Sequence, residues 1–207
     1  NIDDYSVAIK ELIDLGYYII RMGVIVNKPV EFKSSHVIDY AYDNLRTDFM
    51  DVYLASKCSF CISTSTGFDA IPTLFRKPLV IVNNPHIEYF YSFGAEVITI
   101  FKKVWDKNIN QLLSMESVLD RGIGRFIRSN QFNEAGVELV DNTPQEIRDA
   151  VIEMHSRLND KCSDGWYEEN IREKVALIYS KSAINGKIIS KFGTQFLKDN
   201  LYLINDH

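Results

Sequence analysis

The order of apolar and polar positions along this chain predicts strands that alternate with helices. Short apolar or β-branched runs predict strands, and apolar residues three or four positions apart predict helices. The predicted strands are residues 17–20, 37–40, 59–62, 79–82, 95–101 and 137–140. The predicted helices are residues 4–15, 48–55, 68–75, a short helix that contains 117–119, then 144–158 and 166–180. About six alternations at βαβ spacing indicate an α/β fold with a doubly wound, mostly parallel Rossmann-like sheet.

Two of these helices have recognisable starts. Asp48 is expected to cap the helix that follows it. The clearest start combines a capping Thr143, Pro144 at the first helical position and Glu146 three residues after the cap. Both signals mark the points where predicted loops end.

The segment 48–84 carries the strongest functional signal. Its strand, turn, helix and strand predict a right-handed βαβ crossover. The turn is a run of four hydroxyl residues and a glycine: Ser63, Thr64, Ser65, Thr66 and Gly67. Open α/β sheets bind ligands at the carboxyl ends of strands, and the first N–H groups of the next helix attract anions. The turn therefore predicts a phosphate site, at which Gly67 is expected to take a positive φ and to let the backbone approach the ligand.

The same hydroxyl residues also have a purely structural interpretation. Ser and Thr are common helix caps, so Thr66 or Ser65 could cap the helix that contains Asp69 without any ligand. A cap uses one hydroxyl and this turn has four, but the spacing matches neither a Walker loop nor a G-x-G-x-x-G turn. Both interpretations stay open on the pattern alone.

A cation for this site is expected at the end of another predicted strand. Arg21 ends the strand at 17–20 and lies near Gly23, where a guanidinium can grip a phosphate or a carboxylate with two hydrogen bonds. An exposed loop arginine is the structural alternative. Arg125 and Arg128, in a glycine-containing loop, are the rival cations if the crevice lies elsewhere.

Polar residues also follow the strand at 79–82 and precede an aromatic cluster. Asn83, Asn84 and His86, together with Asp69, are candidate contacts for a base or a sugar ring. Packing of this aromatic loop against the core is the alternative.

Composition restricts the class of protein. The 207 residues are 46% hydrophobic and 12% aromatic, which is ample for a packed core. A net charge of −5, with basic residues scattered singly, argues against a nucleic-acid partner. No apolar run approaches the roughly 20 residues that span a bilayer, so we expect a soluble, cytoplasmic protein without a transmembrane segment. The start at Asn1 rather than Met suggests a piece of a longer protein.

The three cysteines do not predict a redox or zinc site. Cys58 and Cys61 match C-x-x-C, but they span a helix end and a strand, whereas a redox pair normally begins a helix. With Cys162 as the third cysteine, there is no second pair at zinc spacing. Buried structural thiols are the preferred interpretation.

Several segments together resemble a family of bacterial glycosyltransferases found with surface-polysaccharide genes. These segments are residues 17–23, 48–54, 63–72, 76–78, 136–144, 192–193 and 196–197. The resemblance covers nearly the whole chain, and its motifs are specific as a set rather than singly. Family members are similar to the GT-B architecture, in which two Rossmann-like domains face each other and the carboxyl-terminal one binds the nucleotide sugar.

The resemblance implies that residues 1–207 form one nucleotide-sugar-binding domain, with a helical extension from about residue 166. It implies that residues 63–67 contact the donor diphosphate and that Arg21 helps to neutralise it. The remaining partner would be an amino-terminal acceptor domain or another chain, at the inner face of the membrane in the case of membrane-associated synthesis. No cofactor or metal is expected, because the chain lacks an Asp-x-Asp and a helix start with a cation can stabilise the leaving diphosphate.

Two other functions remain possible on the sequence. One is a nucleotide-sugar epimerase-like enzyme, which needs carboxylates and a His in the same crevice. The other is a non-catalytic module that binds a sugar nucleotide or a partner chain. No residue is assigned as a catalytic base.

Overall fold

The computed structural model of this protein describes residues 1–42, 46–161, 165–182 and 184–205, so that Cys162 lies outside the described residues. The strands are β1 Ile19–Ile20, β2 Val37–Ile38, β3 Cys61–Ser63, β4 Leu79–Asn84, β5 Val97–Phe101, β6 Lys103–Asp106, β7 Gln111–Leu112, β8 Val137–Val140 and β9 Lys191–Phe192. The α-helices are α1 Ser6–Asp14, α2 Asp48–Lys57, α3 Ala70–Leu74, α4 Met115–Asp120, α5 Ser129–Glu134, α6 Pro144–Leu158, α7 Trp166–Tyr179 and α8 Thr194–Asp199. Short 3-10 helices lie at Ile2–Tyr5, Gly67–Asp69, Ile123–Arg125 and Leu201–Leu203.

The strands form three sheets within the described residues. The largest is parallel, in the order β3-β4-β5-β9, and its register places Ser63 beside Ile81 and Ile81 beside Thr99. A second sheet is the parallel pair β1-β2, and the third is antiparallel, in the order β7-β6-β8. The α/β class and a parallel sheet are thus confirmed.

Several details of the predicted layout are wrong. The strand at 137–140 forms, but it pairs antiparallel with β6 instead of joining the parallel sheet. The β6-β7 hairpin and α5 were not predicted. Thr47 rather than Asp48 caps α2, because its hydroxyl accepts the Met50 N–H at 3.2 Å.

The core lies around β4 and β5, whose residues are all buried. Helix α6 covers them with Ile147, Val151 and Met154, each at most 1% exposed, and α1 packs beside it through Ala8 and Leu12. Each such aliphatic side chain contributes roughly 1.5–3 kcal/mol by leaving water. The centre of the parallel sheet is therefore a rigid support for the loops at its carboxyl edge.

The start of α6 forms as its sequence predicts. Thr143 Oγ1 accepts the Glu146 N–H at 3.2 Å, and Glu146 Oε2 accepts the Thr143 N–H at 2.7 Å. Glu146 also receives Lys103 Nζ at 2.8 Å and Asn200 Nδ2 at 3.0 Å. This buried carboxylate joins α6 to β6 and to the carboxyl-terminal segment.

Candidate functional site

The hydroxyl-rich turn lies where the pattern predicts, directly after β3 at the carboxyl edge of the parallel sheet. Its conformation differs from expectation at one residue. Ser65 takes the left-handed backbone, with φ 62°. Gly67 does not, and a Cβ added there would meet no heavy atom within 4 Å. The expectation that Gly67 is needed for positive φ is wrong, and a small side chain at this position would fit.

Asp69 anchors the turn from inside the protein. The residue is 0% exposed, its Oδ2 accepts the Thr66 N–H at 3.0 Å, and its own N–H donates to the Thr66 carbonyl at 3.0 Å. Burial raises the pKa of the Asp69 carboxyl, while the Ser63 hydroxyl and the Thr66 backbone oppose the rise. Asp69 Oδ1 has no hydrogen-bond partner in the described part of the chain. The capping interpretation thus accounts for Ser63 and Thr66 as neighbours of Asp69.

The capping interpretation does not account for the rest of the turn. Within the described residues, the Thr64 and Ser65 hydroxyls have no hydrogen-bond partner. The same holds for the backbone N–H groups of Ser65, Gly67 and Phe68. The helix that follows is short, since α3 has 5 residues, so its dipole adds little. The Thr66 N–H between them is held by Asp69. Free N–H groups that lie close together around a left-handed residue are a backbone arrangement that can bind anions.

Arg21 lies at the carboxyl end of β1, in a sheet separate from the turn. Its Nη1 donates to the Lys28 carbonyl at 2.7 Å and to both Asp39 carboxylate oxygens at 3.4 Å. Asp39 Oδ2 also accepts the Val30 N–H at 2.7 Å. Arg21 and Asp39 therefore close the loop after β1, and none of the Arg21 hydrogen bonds among the described residues reaches the turn.

Asn83 forms a reciprocal pair with a residue that sequence reasoning missed. The Asn83 N–H donates to Asn142 Oδ1 at 2.5 Å, and the Asn142 N–H donates to Asn83 Oδ1 at 2.6 Å. Asn142 Nδ2 also donates to the Phe101 carbonyl at 2.8 Å. Asn83 has a φ of 51°, at the point where the β4-β5 register shifts. These contacts join the ends of β4 and β5 to the start of α6, so Asn83 has a structural role.

Asn84 and His86 also lie at the carboxyl end of β4. Asn84 is fully buried, and its Oδ1 accepts the His86 N–H at 3.1 Å, whereas its Nδ2 has no partner within the described residues. His86 is half-buried, and its Nδ1 lies 3.3 Å from the Phe126 carbonyl. A carbonyl only accepts, so Nδ1 carries the proton and Nε2 is the nitrogen left for a ligand.

A second buried carboxylate, Glu88, was not predicted. It is 1% exposed and receives Arg125 Nε at 2.9 Å, Arg125 Nη2 at 3.2 Å and the Ser182 hydroxyl at 2.7 Å. The Glu88 carboxylate holds Arg125, so the rival cation is paired like Arg21. Partners 37 and 94 residues away leave no local pattern from which the sequence could predict them.

The two described cysteines are poor nucleophiles. Cys58 Sγ donates to the Ala55 carbonyl at 3.1 Å. Burial raises the pKa of both thiols, and together with the nearby Cys58 and Asp69 it brings the pKa of Cys61 to about 12. A thiol with a raised pKa carries little thiolate at neutral pH and reacts slowly. These observations support the interpretation as structural thiols.

The described part of the chain has no group of three or more His, Cys, Asp or Glu side chains arranged to hold a metal ion. None of its helices has the length and the apolar composition required to cross a membrane. The fold and the site define a mixed α/β protein with a free hydroxyl-rich turn at the edge of its parallel sheet. No family model, curated protein or solved structure matches the chain.

Proposed function

We propose that this chain is the donor-binding domain of a nucleotide-sugar-dependent glycosyltransferase of the GT-B type. The observation that carries the proposal is the set of unpaired donors in the turn after β3. The Thr64 and Ser65 hydroxyls and three backbone N–H groups are free there, while Asp69 fixes the turn from below. A diphosphate offers many acceptor oxygens and is a suitable guest for such donors.

Catalysis in this proposal is electrostatic. When the bond between the sugar and the diphosphate breaks, negative charge grows on the leaving oxygen. Fixed hydroxyl and N–H donors stabilise that charge without having to reorient, which is the main contribution a protein makes to such a step. The acceptor, a surface polysaccharide in this proposal, would be activated by a base from an amino-terminal domain or another chain.

Arg21 is the proposed cation for the diphosphate. Asp39 already neutralises it in the ligand-free protein, so the phosphate would compete with this carboxylate. We therefore expect Arg21 to contribute less than the roughly 1.5–3 kcal/mol of a hydrogen bond to a charged group.

The fold is compatible with the Rossmann-like half of such an enzyme. The parallel sheet β3-β4-β5-β9 supplies the carboxyl edge. The Tyr17 ring, just before β1, contacts the Phe60 ring, just before β3, with centroids 5.6 Å apart. This contact supports an arrangement in which the β1-β2 pair continues the sheet beside β3, as a doubly wound layout requires.

The proposal is tested by nucleotide binding to a turn variant. Thr64→Ala combined with Ser65→Ala removes the free hydroxyls and leaves the contacts of Asp69 intact. We expect UDP, GDP, CDP or TDP to raise the melting temperature of the parent, because a ligand at 100 times its Kd adds about 2.7 kcal/mol. The double variant should bind that nucleotide about ten- to a hundredfold more weakly by calorimetry.

The matched control is Ser35→Ala, an exposed hydroxyl before β2 and thus at the opposite end of a strand. It should bind like the parent. If none of the four nucleotides stabilises the parent, or if the double variant binds as tightly as the control, the donor site is wrong. Tight binding without sugar transfer by the whole protein would instead favour the non-catalytic module.

A further inference from the structure

Residues 184–190, between α7 and β9, are held against the loop that joins β4 to β5 by hydrogen bonds. Asn185 Nδ2 donates to the Glu88 carbonyl at 2.8 Å. Farther along, the Ile189 N–H donates to the Ser92 carbonyl at 2.7 Å. Asn185 is therefore one of the contacts that keep this carboxyl-terminal segment in place.

The same asparagine borders the buried Glu88 carboxylate. The Ser182 hydroxyl donates to Glu88 Oε1 at 2.7 Å and accepts Asn185 Nδ2 at 3.3 Å. The Glu88 side chain is 1% exposed and is already paired with Arg125. An uncharged amide fits this position, whereas a negative charge at residue 185 would repel the carboxylate of Glu88.

Asn185 is followed by Gly186, and this is the one Asn-Gly pair in the sequence. Such a pair is typical of hairpin turns, but here it lies between a helix and a strand rather than between two paired strands. Gly186 is exposed, and a Cβ added there would meet no heavy atom within 4 Å. Its N–H has no hydrogen-bond partner in the part of the chain that the structure describes. The backbone nitrogen after Asn185 is thus open to water and unhindered.

We propose that Asn185 is a site of spontaneous deamidation. The Gly186 nitrogen attacks Asn185 Cγ and loses its proton, the bond from Cγ to Nδ2 breaks, and ammonia leaves, so that a cyclic imide forms between the two residues. Water then opens this ring at either carbonyl and leaves aspartate or isoaspartate at position 185. The reaction consumes water, releases ammonia and oxidises nothing.

The hydrogen bonds of Asn185 control this reaction. Nδ2 must give up its bonds to the Glu88 carbonyl and to Ser182 Oγ before it can leave as ammonia. The reaction therefore takes place when the segment opens, and its product prevents the segment from closing again. A carboxylate only accepts hydrogen bonds, so residue 185 then has no donor for the Glu88 carbonyl and carries a charge of the same sign as the Glu88 side chain.

Mass spectrometry of tryptic peptides tests the site, after incubation of the protein at mildly alkaline pH. The peptide that contains Asn185 should gain about 1 Da as its amide becomes a carboxyl group. Gly186→Ala keeps Asn185 and has room for its Cβ, but the reduced freedom of the backbone should slow the gain about fivefold. Asn130, which is exposed and followed by Gln131, should stay unmodified. A parent peptide that keeps its mass, or equal rates in the parent and Gly186→Ala, would overturn the proposal.

Two further variants test the connection to Glu88. Asn185→Asp reproduces one product and should lower the ratio of folded to unfolded protein about five- to thirtyfold in urea unfolding, whereas Gly186→Ala should change this ratio little. Ser182→Ala removes a hydrogen bond to Glu88 and should speed the deamidation. An Asn185→Asp variant as stable as the parent, or a Ser182→Ala variant that deamidates no faster, would show that the contacts with Glu88 do not control this site.

Discussion

Two parts of this α/β chain, residues 17–76 and residues 79–204, differ in how completely their strands are buried. Among the described residues of 17–42 and 46–76, the buried apolar side chains are Tyr40, Ala55 and Pro72, and all of β3 is only half-buried. In residues 79–204 every residue of β4 and β5 is buried beneath α6. Although β3 and β4 are hydrogen-bonded neighbours, only the second has cover on both faces. The difference places most of the stability in the second part, whereas the turn proposed to bind a ligand lies in the first.

The largest loss of stability is expected at the buried ion pair of the second part. Glu146→Ala leaves Lys103, whose side chain is 11% exposed, without a carboxylate, and it removes the Glu146 side-chain half of the capping box of α6. Breaking a buried pair on one side costs about 3–5 kcal/mol. Urea unfolding should show this loss, whereas Asp3→Ala, which breaks an exposed pair with Lys28, should change the midpoint far less. Similar losses of unfolding free energy in both variants would show that the buried ion pair is no more important for stability than the exposed one.

Acid should weaken the same pair. Burial raises the pKa of Glu146, but Lys103, the Thr143 N–H and Asn200 outweigh it, so the net pKa is lowered. A lowered pKa in the folded state gives stability that is present above the unfolded pKa of about 4.3 and is lost as pH falls below it. Urea midpoints measured between about pH 6 and 3 should therefore fall in the parent and fall less in Glu146→Gln. Parallel curves for the two proteins would exclude this source of acid sensitivity.

Two isoleucines on neighbouring strands should also differ in how much they contribute to stability, by a slightly smaller amount. Ile81 on β4 is fully buried, whereas Ile62 on β3 is half-buried. Ile81→Ala should cost about 2–5 kcal/mol, because it removes transfer free energy and leaves a cavity. Ile62→Ala should cost clearly less, since its surroundings are open to water. The comparison uses urea unfolding with unchanged m-values, and equal costs would show that β3 is as well covered as β4.

The parts of the fold that the sequence predicts are those with a strong local period. Strand β4 is a continuous apolar run, and α6 has a cap, a proline and a regular apolar stripe. The β6-β7 hairpin was missed because β6 has only two apolar residues, Val104 and Trp105, between the charged Lys103 and Asp106. Those charges are tolerated because Glu146 and Arg121 pair with them, and these partners are distant in sequence.

In the candidate site, too, the features set by local sequence could be predicted, and those set by distant contacts could not. The position of the hydroxyl-rich turn follows from local order, since a strand precedes it and a helix follows it. The pairing of Arg21 with Asp39, and of Asn83 with Asn142, depends on contacts across the fold. The sequence therefore predicts where the edge of the sheet lies but not which of its polar groups are already occupied.

The smallest expected effect concerns Asp69, the buried carboxyl beneath the turn. Its pKa is raised by burial, so ionisation above the usual Asp range of about 3.9 costs stability as pH rises through the folded pKa. The resulting negative charge also opposes a phosphate bound by Thr64 and Ser65.

Asp69→Asn keeps an acceptor for the Thr66 N–H and removes the charge. We expect nucleoside diphosphate to bind this variant about threefold more tightly at pH 8, with little difference near pH 4. Calorimetry at the two pH values measures this change. Weaker binding by Asp69→Asn at pH 8 would contradict this expectation, because it would mean that the Asp69 carboxylate contacts the ligand directly.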